Sequence, residues 1–367
     1  MEVLQQISPQ TVLFFILYGI TGIVPLIAAL YLLLRRGNAI APGVTPPLRL
    51  RCWASAFFVV ASLGHVWWLL FYFYSRDMHS VAYLLVVALD FVGMVVTIAG
   101  TMLSMLQDRR RPIWPAFVAM LLFLVLGVLE RLYPDGSFMD IAIAYNLVLY
   151  VLFFIYMVFA VRRYGRWLND NYADLENKKV WLSQAVALAF VLLFVLYVLV
   201  DTNTNLIFLL HAVELLFFGL LLWRVETLPQ LEDKTQTETQ SAPLAHGKGA
   251  GEGTVDLDYM SGLLQQHCVA PQLYLQHDLS LQQLAQAIGT NRSYLSQYFS
   301  RQGITYNTYI NNLRINHFIS RYQELTAAGQ PIVAQQLASE SGYRSYSTFS
   351  LAFKQRTGQS VTAWMRD

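Results

Sequence analysis

Residues 280–299 read Ser280-Leu-Gln-Gln-Leu-Ala-Gln-Ala-Ile-Gly289-Thr290-Asn291-Arg-Ser-Tyr-Leu-Ser-Gln-Tyr-Phe299. Leu281, Leu284, Ala285 and Ile288 recur at helical spacing. Ser280 with Gln283 makes a capping box at the start of that helix. Gly289 follows the last apolar position, where a residue with positive φ ends a helix. Asn291 is a natural N-cap for a second helix. That helix turns Leu295 and Phe299 inward and leaves Arg292, Ser293, Ser296 and Gln297 outward, with Arg301 in its last turn. The stretch 280–302 is therefore a helix, a tight glycine turn and a helix.

The plan repeats over residues 331–355. Pro331 suits a first helical turn, and Gly342 takes the part of Gly289, 53 residues further on. Phe349 and Phe353 match Leu295 and Phe299. The outward face offers Arg344, Tyr346, Ser347, Thr348, Leu351 and Lys354. A helical stretch over 306–325 joins the units, with Ile315, Phe318, Tyr322 and Leu325 on one stripe. Any helical hairpin mimics one such unit. Two in tandem on one connecting helix point to the motif that lays a recognition helix in the DNA major groove.

On these residues the segment 275–367 resembles the DNA-binding domain of AraC/XylS-family transcription regulators. The matching positions are Leu281 to Gly289, Tyr294-Leu295, Phe299, Arg314, Gly342-Tyr343, Phe349, Phe353-Lys354 and Gly358. The resemblance covers about a quarter of the chain. It implies two recognition helices reading adjacent major-groove segments. The base-facing positions carried over are Arg292, Ser293, Ser296 and Gln297, then Tyr346, Ser347, Thr348 and Leu351. Three positions depart from the family pattern: Leu351 where Arg is common, Ser360-Val361 in place of Thr-Pro, and Phe318 where a small residue is usual. Arg301, Arg344 and Lys354 add charge near the two faces. Residues 256–367 hold eight basic and six acidic side chains. A balance of +2 is thin for a DNA binder, since phosphate neutralisation supplies most non-specific affinity. Dimerisation and polar contacts from Ser, Gln and Asn are expected to compensate.

The rest of the chain has another composition. Over all 367 residues, 56% are hydrophobic and 13% charged, against roughly 25% charged in soluble proteins. The apolar excess lies in residues 1–224, in seven runs: Val12–Leu34, Trp53–Tyr74, Val81–Leu106, Ile113–Leu129, Ile141–Val161, Trp181–Val200 and Leu206–Trp223. Each approaches or exceeds the length that crosses a bilayer as a helix. The expected fold is all-α, a seven-helix transmembrane bundle followed by a cytoplasmic double helix-turn-helix domain. The membrane half resembles no family by motif.

Charge sets the orientation. Alternate connections carry Arg35, Arg36, Arg49 and Arg51, then Arg109 to Arg111, then Arg162, Arg163, Arg166, Lys178 and Lys179. The opposite set carries Arg76 and Arg131. The positive-inside rule puts the N-terminus outside and the C-terminus in the cytoplasm. The first run is not a cleavable signal peptide, because no Lys or Arg precedes it. Residues 225–254 are polar and free of aromatic residues, and are expected to be a flexible linker. The domain is expected over 255–367.

Five polar side chains lie inside the apolar runs: His65, Asp90, Asn146, His211 and Glu214. Counted from the outer helix ends at 1.5 Å per residue, they sit about 9–15 Å deep. Intramembrane ionisable groups are costly and usually functional. Three readings stand: a hydrogen-bonded packing network, a pocket for a small ligand or a proton, and a metal site. No phosphate-binding glycine loop, nucleophile elbow or HExxH motif occurs. Cys52 and Cys268 make neither a disulfide framework nor a zinc pair. The expectation is a non-enzymatic one-component sensor in the inner membrane of a bacterium, without cofactor or resident metal. Its expected partners are promoter DNA, the lipid bilayer, RNA polymerase, an unidentified small ligand and a second copy of the chain on DNA. A transporter or metal-dependent intramembrane enzyme with an appended regulatory domain is the competing class.

Overall fold

The computed structural model describes residues 8–74, 77, 80–133, 136–199, 204–231 and 257–366, and every regular element among them is helical. The described residues form two compact units. One runs to Tyr164 and includes Val180–Leu231. The other joins Gly165–Lys179 to the C-terminal residues.

The first unit holds α1 (Pro9–Leu34), α2 (Leu48–Tyr74), α3 (Val81–Ser104), α4 (Trp114–Leu132), most of α5 (Phe138–Asn171), α6 (Trp181–Leu199) and α7 (Thr204–Thr227). Six of these, all but α6, are long and apolar enough to cross a membrane among the described residues. Side chains of α6 are described only through residue 193, and its described apolar part is shorter. Ser8 caps α1 by accepting from the Thr11 amide, with Pro9 behind it in the first turn. Side chains such as Phe15, Ile23, Ile27, Leu33, Leu121 and Phe159 remain exposed. An apolar exterior of this extent is what lipid, not water, would cover.

The bundle core is aromatic. Phe57 and Phe58 of α2 meet Phe217 and Phe218 of α7 edge to face, and Phe190 of α6 stacks on Phe217 at 4.0 Å. Trp53 lies against Gly100, where an added Cβ would fall 2.4 Å from its ring. At the C-terminal ends of α1 and α7, buried Glu226 pairs with Arg35 at 3.0 Å and accepts from the Tyr31 hydroxyl at 3.1 Å. Residues 225–231, expected as the start of a linker, are ordered here. Val225 and Leu228 are buried, and the Gln230 amide donates to Thr45 O at 2.8 Å. Residues 232–254, the rest of that linker, lie outside the described residues, as do the first two positions of the expected domain, 255 and 256.

The second unit contains α8 (Leu257–Leu264, extended by a π turn over Gln265–Val269), a 3₁₀ turn at Leu273–Leu275, α9 (Leu281–Ala287), α10 (Arg292–Arg301), α11 (Tyr306–Ala327), α12 (Ala334–Glu340), α13 (Tyr346–Thr357) and α14 (Val361–Trp364). The capping box at Ser280 forms with both of its hydrogen bonds. Gly289 and Gly342 adopt φ of +73° and +89°. The expected helix start at Pro331 does not hold: α12 begins at Ala334, with extended Val333 as N-cap. Gly329 at φ +64° and the Gln330 amide bonding back to Leu325 O close α11, so the chain must leave extended before it can turn again.

Two small cores share α11. Its first half gives Tyr306 and Ile310 to a core with Leu281, Leu284, Leu295 and Phe299. Its second half gives Ile315 and Phe318 to a core with Leu337, Phe349 and Phe353. The segment 165–179 belongs to the first core, because Ala173 is buried in it.

Candidate DNA interface and intramembrane polar cluster

The helices expected to face DNA are α10 and α13. Asn291 accepts from the Tyr294 amide, and Ser345 from the Thr348 amide. Each helix buries its apolar stripe and turns the expected positions outward. Ser293, Gln297, Arg301, Arg344, Ser347, Leu351 and Lys354 are exposed, and Arg292, Ser296, Tyr346 and Thr348 are half-buried.

Arg314, only 1% exposed, lies between the two small cores of the second unit. It donates to Tyr274 O and Gln276 O, both at 2.7 Å, and its guanidinium lies 5.5 Å from the Tyr343 ring. Burial lowers the affinity of that guanidinium for its proton, and Tyr343 and Tyr306 oppose the shift. Burial also raises the Tyr343 hydroxyl. Gly342 packs against the same place. A Cβ there would fall 2.9 Å from Leu275 O.

One short segment touches both α10 and α13. Arg292 donates from Nε to Asn171 Oδ1 at 2.8 Å, and its Nη2 reaches the same oxygen. The Thr348 hydroxyl donates to Glu176 Oε2 at 3.2 Å. Between these points Ala173 N bonds to Leu279 O, and Asn307 Nδ2 donates to Tyr172 O and Ala173 O at 3.1 and 2.6 Å. Lys178 pairs with Asp278 at 3.1 Å, and Asp278 also holds Arg344. Five residues of chain span at most about 18 Å, so the backbone positions that hold Arg292 and Thr348 lie within that distance of each other. The basic run near residue 166 was legible as a charge signal only. Nothing in the spacing of Asn171 or Glu176 marks them as partners of Arg292 and Thr348.

In the first unit, His65 of α2 and His211 and Glu214 of α7 present ligand-competent atoms all within 4.8 Å of one another. Thr21 of α1, absent from the sequence reading, is fully buried between them. Its Oγ1 lies 2.9 Å from His65 Nε2 and 3.3 Å from His211 Nδ1. A buried Thr has no charge or periodicity to single it out in an apolar run. Asp90 accepts from Trp68 Nε1 at 2.6 Å and sits against Gly64, where a Cβ would fall 2.5 Å from its Oδ1. It occupies a π turn, Ala88–Val92, inside α3. Such turns break the regular ladder and cluster at functional sites. Asn146 donates to Ala142 O in its own helix at 2.8 Å.

Residues 284–367 match the family model described as a helix-turn-helix domain. The C-terminal part of this chain is an AraC-type helix-turn-helix domain, and the match supports a DNA-binding transcription regulator. The N-terminal helical region belongs to no recognised family. No curated protein and no solved structure matches the chain.

Proposed function

We propose that the chain is a membrane-tethered, sequence-specific transcription regulator, a one-component sensor that couples a membrane or external signal to promoter binding. The observation that carries the reading is the union, in one chain, of apolar helices long enough to span a bilayer with a tandem helix-turn-helix domain. The bundle has seven spans, N-terminus outside and C-terminus inside, in the inner membrane of a bacterium. Its alternating basic connections support that orientation. The polar cluster around His65 and His211 is the sensing site. The chain has no catalytic activity of its own, acts as a homodimer on DNA and meets RNA polymerase there.

Regulation runs through the segment 165–179. Arg292 and Thr348 are held by Asn171 and Glu176, and Arg344 by Asp278. DNA phosphates must displace these partners. The described state is the masked one, and the signal shifts the balance between masked and free by its differential affinity for the two.

Crosslinking the full-length protein to DNA in its native cell, with bound sites mapped, tests the regulator reading. Discrete promoter peaks that vanish in the Arg292→Ala/Gln297→Ala variant are the expected result. Peaks unchanged in that variant would overturn the assignment of α10 as a reading helix. Loss of all peaks in every growth condition would overturn DNA binding itself.

A further inference from the structure

Thr21 Oγ1 stands at the focus of a proton-counting problem. The Ala61 carbonyl, 2.9 Å from His65 Nδ1, only accepts, so Nδ1 carries a hydrogen. In a neutral ring Nε2 then carries a lone pair, aimed at Thr21 Oγ1. That hydroxyl has a single proton and two carbonyls of its own helix within reach, Leu17 O at 2.9 Å and Tyr18 O at 3.1 Å. His211 Nδ1 approaches the same oxygen and also lies 3.4 Å from Glu214 Oε2. Two imidazoles, one carboxylate and one hydroxyl therefore converge with more lone pairs than protons between them.

We propose that this cluster is a d-block metal site of the zinc class, with His65 Nε2, His211 Nδ1 and Glu214 as ligands and Thr21 Oγ1 or a water completing four. A cation at the focus accepts every converging lone pair. Two imidazoles with one carboxylate suit zinc and its neighbours, whereas magnesium and calcium seek oxygen donors. The hydrogen bond from His65 Nδ1 to a backbone carbonyl fixes tautomer and ring direction, as ligating histidines generally require. Tyr18, its ring 4.7 Å from His65, and Phe14, 6.0 Å from His211, wall the cluster. Gly22 lets α1 approach, since a Cβ there would come 3.3 Å from the His65 Cβ.

The ligand atoms have to close in. Tetrahedral zinc with bonds of about 2.0–2.1 Å puts its ligand atoms roughly 3.4 Å apart, against up to 4.8 Å here. Binding draws α7 toward α1 and α2. The end of α7 carries Glu226, tied to Arg35 and Tyr31 beyond and within α1. The chain then passes from α7 toward the DNA-binding domain. A metal in the first half of α7 thus shifts the element that precedes the DNA-binding domain in the sequence. This consequence rests on the sensing reading above; the site itself rests on the geometry.

The test is Co²⁺ and Zn²⁺ titration of purified full-length protein in lipid nanodiscs, stripped of metal beforehand. The expected result is one Co²⁺ per chain with the intense visible bands of a four-coordinate nitrogen-containing site, displaced by one equivalent of Zn²⁺. His65→Ala/His211→Ala abolishes the bands, and Glu214→Gln weakens binding at least tenfold. The double variant keeps the helical circular dichroism of the wild type, which guards against simple misfolding. No bands in the wild type, or bands that survive in the double variant, would overturn the proposal. A promoter reporter in the same variants separates the two readings. Metal bound without reporter response removes the sensing role and leaves the site. A reporter that still answers its signal without metal bound does the reverse.

Discussion

Arg314 donates two buried hydrogen bonds to carbonyls of the 273–276 segment, so its loss strands both acceptors. Each unsatisfied buried group costs about 1–3 kcal/mol. Arg314→Ala is expected to destabilise the C-terminal unit by about 2–4 kcal/mol, read as lost amide exchange protection in α11 of the full-length protein. The two turn glycines separate conformational strain from crowding. Both have positive φ, but nothing lies within 4 Å of a Cβ at Gly289, whereas Gly342 meets Leu275 O at 2.9 Å. Gly289→Ala carries only the left-handed penalty of about 1 kcal/mol. Gly342→Ala must exceed it in the same exchange measurement. Phe318, the unusual residue of α11, packs its ring tilted against Phe349 at 4.5 Å and fills the second core. Cys268 is buried and its thiol is pushed up to about 11, chiefly by desolvation, so it stays unreactive at pH 8.

At the scale of elements, the 165–179 segment decides what α10 and α13 can reach. Its backbone is held by Asn307 and Leu279, so removing the side chains of Asn171 and Glu176 leaves its path intact. Asn171→Ala/Glu176→Ala releases Arg292 and Thr348. The full-length protein should then bind its promoter DNA about five- to thirtyfold more tightly, the equivalent of about 1–2 kcal/mol. Unchanged affinity in a titration at fixed salt would discard the masking idea. Ser280→Ala removes the bond from the Gln283 amide to the Ser280 hydroxyl, leaves the one from the Ser280 amide to Gln283 Oε1, and should cost about 1 kcal/mol in α9 stability.

For the whole molecule, the C-terminal domain binds DNA with little net charge. Its affinity should therefore fall gently with salt, by a slope of about −0.9 per phosphate contacted. Leu351, 55% exposed on α13, supplies no charge. Leu351→Arg is expected to tighten binding and to steepen the log–log salt slope by about 1 unit. Orientation is checked by labelling engineered cysteines in a Cys52→Ser background, where Cys268 stays silent. Asp77→Cys should label from outside the cell and Lys179→Cys only after permeabilisation. The reverse pattern would invert the topology.

Local chemistry settles much of this protein before it folds. Helical spacing, Ser280 and Asn291 caps and Gly289 and Gly342 turns are properties of a few neighbouring residues, so the double helix-turn-helix was readable in order. The apolar runs likewise announce long helices, because burial in lipid asks only for length and hydrophobicity. Tertiary structure decided the rest. Thr21 joins His65 and His211 across three helices, Asn171 finds Arg292 from 121 positions away, and residues 225–231 pack instead of trailing. Each depends on which faces meet in space, and contacts between distant segments leave no periodic trace in the residues that make them.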